Sequence, residues 1–116
     1  MENSEFSILK VYASTTDRIG SKLLYEFIVE LARDRKISGV TVYRGIMGFG
    51  LSSHINSAKF WELTEKLPVM IEIIDKTSVL DEFYSLIEPE LQKMKKGCLV
   101  ALEPIIIKLH KPGNKK

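Results

Sequence analysis

Gly39-Val40-Thr41-Val42-Tyr43-Arg44-Gly45-Ile46-Met47-Gly48-Phe49-Gly50 changes character half-way along, and that change decides how the rest of the chain is read. Its first half is β-branched and apolar, suited to a pleated, half-buried strand over residues 40–44. Its second half carries glycines at 45, 48 and 50, which tolerate positive φ and let backbone amides approach a phosphate. Loop glycines serve turns more often than ligands, so the flanking chain has to tip the balance.

Toward the N-terminus, residues 6–13 are rich in strand formers and predict a first strand. Thr15-Thr16-Asp17 offers hydroxyl and carboxylate caps for a helix beginning near Ser21. Leu23, Leu24, Phe27, Ile28, Leu31 and Ala32 then recur at helical spacing as one buried stripe, which Ser38-Gly39 ends. Toward the C-terminus, residues 45–67 make a connection longer than compact domains usually carry, the kind that is functional or mobile. A short helical turn over residues 58–63 is expected within it, with Phe60, Trp61 and Leu63 to bury.

Residues 69–75 are the clearest strand, with Glu72 at the centre facing either solvent or a partner. Val79, Leu80, Phe83, Tyr84, Ile87, Leu91 and Met94 predict a second amphipathic helix. Pro89 should kink or restart that helix, and Gly97 should cap it after Lys95-Lys96. A last strand is expected over residues 99–109, broken or bulged near Pro104. The order strand, helix, strand, strand, helix, strand is that of an α+β ferredoxin-like βαββαβ sandwich, a four-stranded antiparallel sheet with both helices on one face. Ile105, Ile106 and Ile107 must leave both faces of the last strand. Apolar surface on the uncovered face predicts burial against other subunits, hence an oligomer.

Bulk properties narrow the classes. The 116 residues make one domain, 1–116, with flexible ends expected at 1–5 and 112–116. A 45% hydrophobic, 28% charged composition argues against disorder. A net charge of +2 is too small to argue for nucleic acid, although Lys108, His110, Lys111, Lys115 and Lys116 cluster at the end. Cys98 is the only cysteine, so no intrachain disulfide forms; a small buried hydrophobe in a reducing compartment is expected. No apolar run reaches the ~18 residues of a membrane span, and Met1 to Glu5 lack a signal pattern, so a cytoplasmic location is expected.

The 39–50 run, the strand Leu67-Pro68-Val69-Met70-Ile71-Glu72-Ile73-Ile74 and the closing Gly97-Cys98-Leu99-Val100 resemble the PII-like signalling proteins. The VTVYRGIMGFG stretch looks like the signature of an uncharacterised branch of that family, and the resemblance spans roughly residues 6–111. It implies homotrimers whose sheets face a central core, with adenine nucleotides (AMP, ADP or ATP) in clefts between subunits. It also implies a long loop that responds to ligand and engages a target protein, such as a membrane transporter or a metabolic enzyme.

By the same resemblance, Thr41 matches a second-strand threonine facing the adenine, and Glu72 and Ile74 match third-strand positions beside the base. Gly48-Phe49-Gly50 matches the glycine-flanked loop start where amides meet phosphates, and Gly97 matches a glycine of the phosphate loop after the second helix. Lys108 and His110 look similar to paired arginines that reach phosphates across the subunit boundary. The chain departs from the pattern where Leu51-Ser52 replaces an arginine-glutamine pair and Cys98 a lysine. One residue is added between Tyr43 and Gly48, and the shorter loop lacks the tyrosine that classical members have modified. With fewer cations, mono-, di- and triphosphates and cyclic or dinucleotides all stay open.

Chemically, such a site needs an amide nest, cations and a slot for the base. Gly45, Met47, Gly48, Phe49 and Gly50 can supply amides; Arg44, Lys96, Lys108 and His110 can supply cations, Arg44 in bidentate fashion. An exposed strand-end charge is an equally good reading of Arg44. His54 alone makes no metal site, and no metal is expected. Two rivals differ in class. A small phosphohydrolase would rest on Glu72 and Asp75, which lack an evident histidine or metal partner. An RNA-binding module would need stacking aromatics, for which Tyr12 and Tyr43 are the only candidates. A ligand-free trimeric interaction module is the bland alternative.

Overall fold

The computed structural model describes residues 5–50, 56–57 and 66–114. Four strands form one antiparallel sheet: β1 (Phe6–Ser14), β2 (Gly39–Arg44), β3 (Pro68–Lys76) and β4 (Leu99–Ile105). Helix α1 (Leu24–Asp34) joins β1 to β2, and α2 (Thr77–Lys93) joins β3 to β4. The spatial order is β2-β3-β1-β4, the ferredoxin-like βαββαβ arrangement. Among the described residues, no helix is long and apolar enough to cross a membrane.

Strand parity builds the core. On β1 and β3 the odd positions Leu9, Val11, Ile71 and Ile73 turn inward, because side chains alternate along a strand. They meet Leu24, Ile28 and Ala32 of α1 and Leu80, Phe83, Ile87 and Leu91 of α2. The stripe spacing read from the sequence is thus the core contact, and the fold expectation holds. Asp75 shares this face and is buried, but its Oδ2 accepts the Ser38 amide at 2.9 Å and its Oδ1 the Lys76 amide at 2.6 Å. This carboxylate clamps the entry of β2 to the end of β3, so its hydrogen bonds are accounted for by the fold.

Several local expectations are corrected. Thr15-Thr16-Asp17 does not cap α1. The chain first makes a two-residue antiparallel pairing of Arg18–Ile19 with Lys22–Leu23, turning at Gly20 with φ 62°, and the helix opens after an extended Leu23 without a side-chain cap. Asp17 instead folds back on its own turn, its Oδ2 accepting the Ser14 amide at 2.9 Å while its carbonyl accepts the Leu24 amide at 2.7 Å. Pro89 lies inside a helix that continues to Lys93 without a restart. It sits in the last turns, where one missing amide bond is tolerated because burial of Ile87 and Leu91 holds both sides. The helix stops at an extended Met94 rather than at Gly97, and Gly20 is the only described glycine with positive φ.

β4 runs through Pro104 and ends at Ile105, opposite Phe6, where the described ladder of β1 begins. Pro104 is tolerated because β4 is an edge strand. Ile106 to Leu109 therefore continue without a ladder, and Ile106 and Leu109 are exposed. In the long connection, Met47–Gly48 pairs with Asn56–Ser57. The expected turn at 58–63 with Phe60, Trp61 and Leu63, together with His54, Leu51-Ser52, Lys115 and Lys116, lies outside the described residues.

Candidate functional site

Two of the three glycines at 45, 48 and 50 pack closely against Pro68. A Cβ at Gly45 would lie 2.9 Å from Pro68 Cγ, and one at Gly48 would lie 3.2 Å from the same atom. The Gly45 amide also donates to the Pro68 carbonyl at 2.7 Å. Gly45 and Gly48 thus pack closely against the start of β3, and the Gly45 amide is not available to an anion. Among the described residues, nothing lies within 4 Å of a Cβ at Gly50.

Beyond that contact, the ends of β1 and β3, the start of β4 and both feet of the long connection enclose a cleft of about 610 Å³. This lies inside the range of roughly 300–1,000 Å³ typical of small-molecule sites. Gly48, Phe49 and Gly50 form one wall, Lys66, Leu67 and Pro68 the returning wall, and Lys96, Gly97 and Cys98 a third. Tyr12 and Leu99, neighbours across β1 and β4, make an apolar floor that continues onto the open face of the sheet. The returning wall is fixed to the end of β1: the Thr15 amide donates to the Leu67 carbonyl at 2.9 Å and the Leu67 amide to Thr15 Oγ1 at 3.0 Å.

The structure thus brings five of the expected site residues to one cleft: Gly48, Phe49, Gly50, Lys96 and Gly97. Thr41, Arg44, Gly45, Met47, Glu72, Ile74, Lys108 and His110 do not line it. Thr41 and Glu72 are a directly opposed cross-strand pair on the open face, and Ile74 lies farther along that face opposite Gly39 and Ile8. Glu72 is half-buried there and accepts a hydrogen bond from the Tyr43 hydroxyl at 3.2 Å, which answers the question of its partner. The Glu72 charge and this bond raise the Tyr43 phenol above its ordinary value. Arg44 is exposed at the end of β2, the bland reading of it. Lys108 and His110 follow β4, exposed.

The sequence reading missed Tyr12, Asp17, Lys66 and Leu99 as cleft residues and took Cys98 as a small buried hydrophobe. Cys98 is half-buried in the wall; burial, and secondarily the Asp17 carboxylate, push its thiol upward, toward an unreactive form. Only a feature joining distant segments could have flagged these residues, since the cleft is assembled from four parts of the chain. Among the described residues no group of three or more His, Cys, Asp and Glu could hold a metal ion.

Comparison with known proteins bears on the whole unit. The DUF190 profile, described as Uncharacterized ACR, COG1993, matches residues 6–107. A UPF0166 protein of Aquifex aeolicus is 32% identical over 98 residues, 84% of this chain and 89% of its own length. A UPF0166 protein of Methanocaldococcus jannaschii is 33% identical over 90 residues, 78% of this chain and 79% of its own.

Proposed function

The chain belongs to the DUF190 family, and from that membership and the cleft we propose that it is a PII-like regulatory protein that binds an adenine nucleotide. One observation carries the reading: the two feet of the 49–66 connection both line the same cleft. A ligand seated there touches both, so it favours whichever arrangement of the loop makes the better contacts. The loop is then the element that meets a target protein, in the cytoplasm, at a membrane transporter or a metabolic enzyme.

Lys66 and Lys96 stand at the cleft for a phosphate, with the amides of Gly48 to Gly50 beside them and the apolar Tyr12–Leu99 floor for a base. The exposed apolar row of the open face supports a homotrimer in which the sheets meet. In that assembly Thr41, Glu72, Ile74, Lys108 and His110 belong to the seam between subunits, and Arg44 and Met47 stay outside the site. No catalytic step is assigned, and added nucleotide should remain unchanged on long incubation with pure protein.

A second reading has its own support. Gly45 and Gly48 are already explained by Pro68, so a ligand-free interaction module needs no nucleotide. Thermal melts with AMP, ADP and ATP separate the two. A ligand bound only to the folded state at ~100 times its Kd stabilises by about 2.7 kcal/mol, a rise of several degrees. Melts unmoved by any nucleotide discard the first reading and leave the second.

A further inference from the structure

Three described polar side chains are buried: Ser7, Asp17 and Asp75. Two of them are accounted for by the fold. Ser7 Oγ shares a hydrogen bond with Thr77 Oγ1 at 2.6 Å, and both oxygens of Asp75 hold backbone amides. Asp17 is different. Only 5% of it is exposed, yet a single oxygen, Oδ2, is used, by the Ser14 amide. Oδ1 receives no hydrogen bond from a described residue, and no described side-chain polar atom is sealed from solvent without a partner. The small opening left to Oδ1 is the cleft, whose wall Asp17 forms.

An ionised carboxylate accepts hydrogen bonds and donates none, so an oxygen held there selects a ligand group with hydroxyl or amine donors. It also repels phosphate, which leaves the anionic end of a ligand to the lysines. Position decides which donors it meets. Asp17 is close enough to Cys98 for its charge to act on that thiol. Cys98 follows Lys96 by two residues, and both line the cleft. The acceptor, the Lys96 cation and the apolar floor at Leu99 and Tyr12 share one cleft, and with the phosphate at the lysine and the base on the floor, the donors left for Asp17 are those of the sugar. In a nucleotide the group between phosphate and base is the ribose. We propose that Asp17 is a specificity residue that accepts hydrogen bonds from the ribose hydroxyls of the nucleotide in this cleft. The inference rests on the nucleotide reading above and adds the sugar to it; carboxylates in dinucleotide-binding folds use the same chemistry on a ribose hydroxyl.

The test is calorimetric titration of the full chain with AMP, ADP and ATP and with their 2′-deoxy and 3′-deoxy counterparts. The protein should prefer the ribonucleotide over a deoxy counterpart by about tenfold, the worth of one hydrogen bond to a charged group. Asp17→Asn retains an oxygen for the Ser14 amide and should narrow the preference to about twofold by weakening ribonucleotide binding alone. A purely structural Asp17 would instead lower the melting point and leave the ratio untouched. Equal binding of ribo- and deoxynucleotides by the unmodified protein overturns the proposal even if Asp17→Asn fails to fold. Undiminished preference in a folded Asp17→Asn overturns it too, and both results leave the nucleotide reading standing. Absence of binding by every nucleotide overturns that reading and the role of Asp17 with it.

Discussion

The sheet has a covered side and an open side, and each carries an apolar row that differs from the other in what lies over it. On the covered side Val11, Ile71 and Ile73 are fully buried under both helices. On the open side the row Tyr43, Met70, Tyr12, Leu99 crosses all four strands, yet Tyr12, Tyr43 and Leu99 remain 42%, 47% and 56% exposed. Both rows are apolar, so composition alone does not distinguish them. The covered side is explained within one chain, whereas the open-side row stays exposed and is the surface that the proposed assembly would cover.

Neighbours on β3 give the sharpest way to break this contrast. Ile71→Ala removes a fully buried side chain from a central strand and should cost about 3–4 kcal/mol in urea denaturation. Met70→Ala, one residue away on the open face, should cost under about 1 kcal/mol at high dilution. Equal losses at high dilution would mean that the open side is as integral to the single chain as the core.

Glycines at the cleft allow a second, smaller comparison. Gly45→Ala places a methyl group 2.9 Å from Pro68 Cγ and should cost about 1–3 kcal/mol of overpacking. Gly50→Ala meets nothing within 4 Å and should change stability by no more than about 0.5 kcal/mol. Adding Pro68→Ala should recover part of the Gly45→Ala loss, because the clash is with the proline ring. If Gly50→Ala proves the more damaging change, the glycine spacing serves something other than contact with Pro68.

These cases show what was legible beforehand. The helical stripes and the strand at 69–75 could be read because burial on one face follows a fixed period along one segment. Helix termini were less legible: Asp17 looked like a cap, but the 18–23 pairing shifted the helix start and returned that carboxylate to its own turn. Pro89 warned of a restart that the packing of Ile87 and Leu91 prevents. For the site, resemblance pointed to the 48–50 and 96–97 walls, which line one cleft, but not to Asp17, Lys66 or Tyr12. Those residues come together only when the ends of β1 and β3 meet the start of β4. No local pattern in the sequence records that meeting.

The smallest expected effect comes from the polar pairs of the open face. Lys10 Nζ lies 2.9 Å from Glu103, and the hydrogen bond and charge of that carboxylate raise the lysine above its ordinary 10.5. This stabilisation is complete below pH 10.5 and is lost as pH rises through the higher folded value. Tyr43, raised by Glu72, acts in the same direction: above its ordinary 10.0 the phenol ionises first in the unfolded chain, so folding weakens as pH climbs. Melting temperatures should therefore be insensitive to these groups below pH 10 and fall slightly above it. Glu103→Gln should remove the lysine part of the fall. Because both pairs stand in solvent on a single chain, salt should blunt the effect. Covering the open face with other copies would desolvate the pairs, and the alkaline fall would then steepen with protein concentration. A fall that ignores both salt and concentration would place these pairs at no interface and weaken the distinction between the two sides.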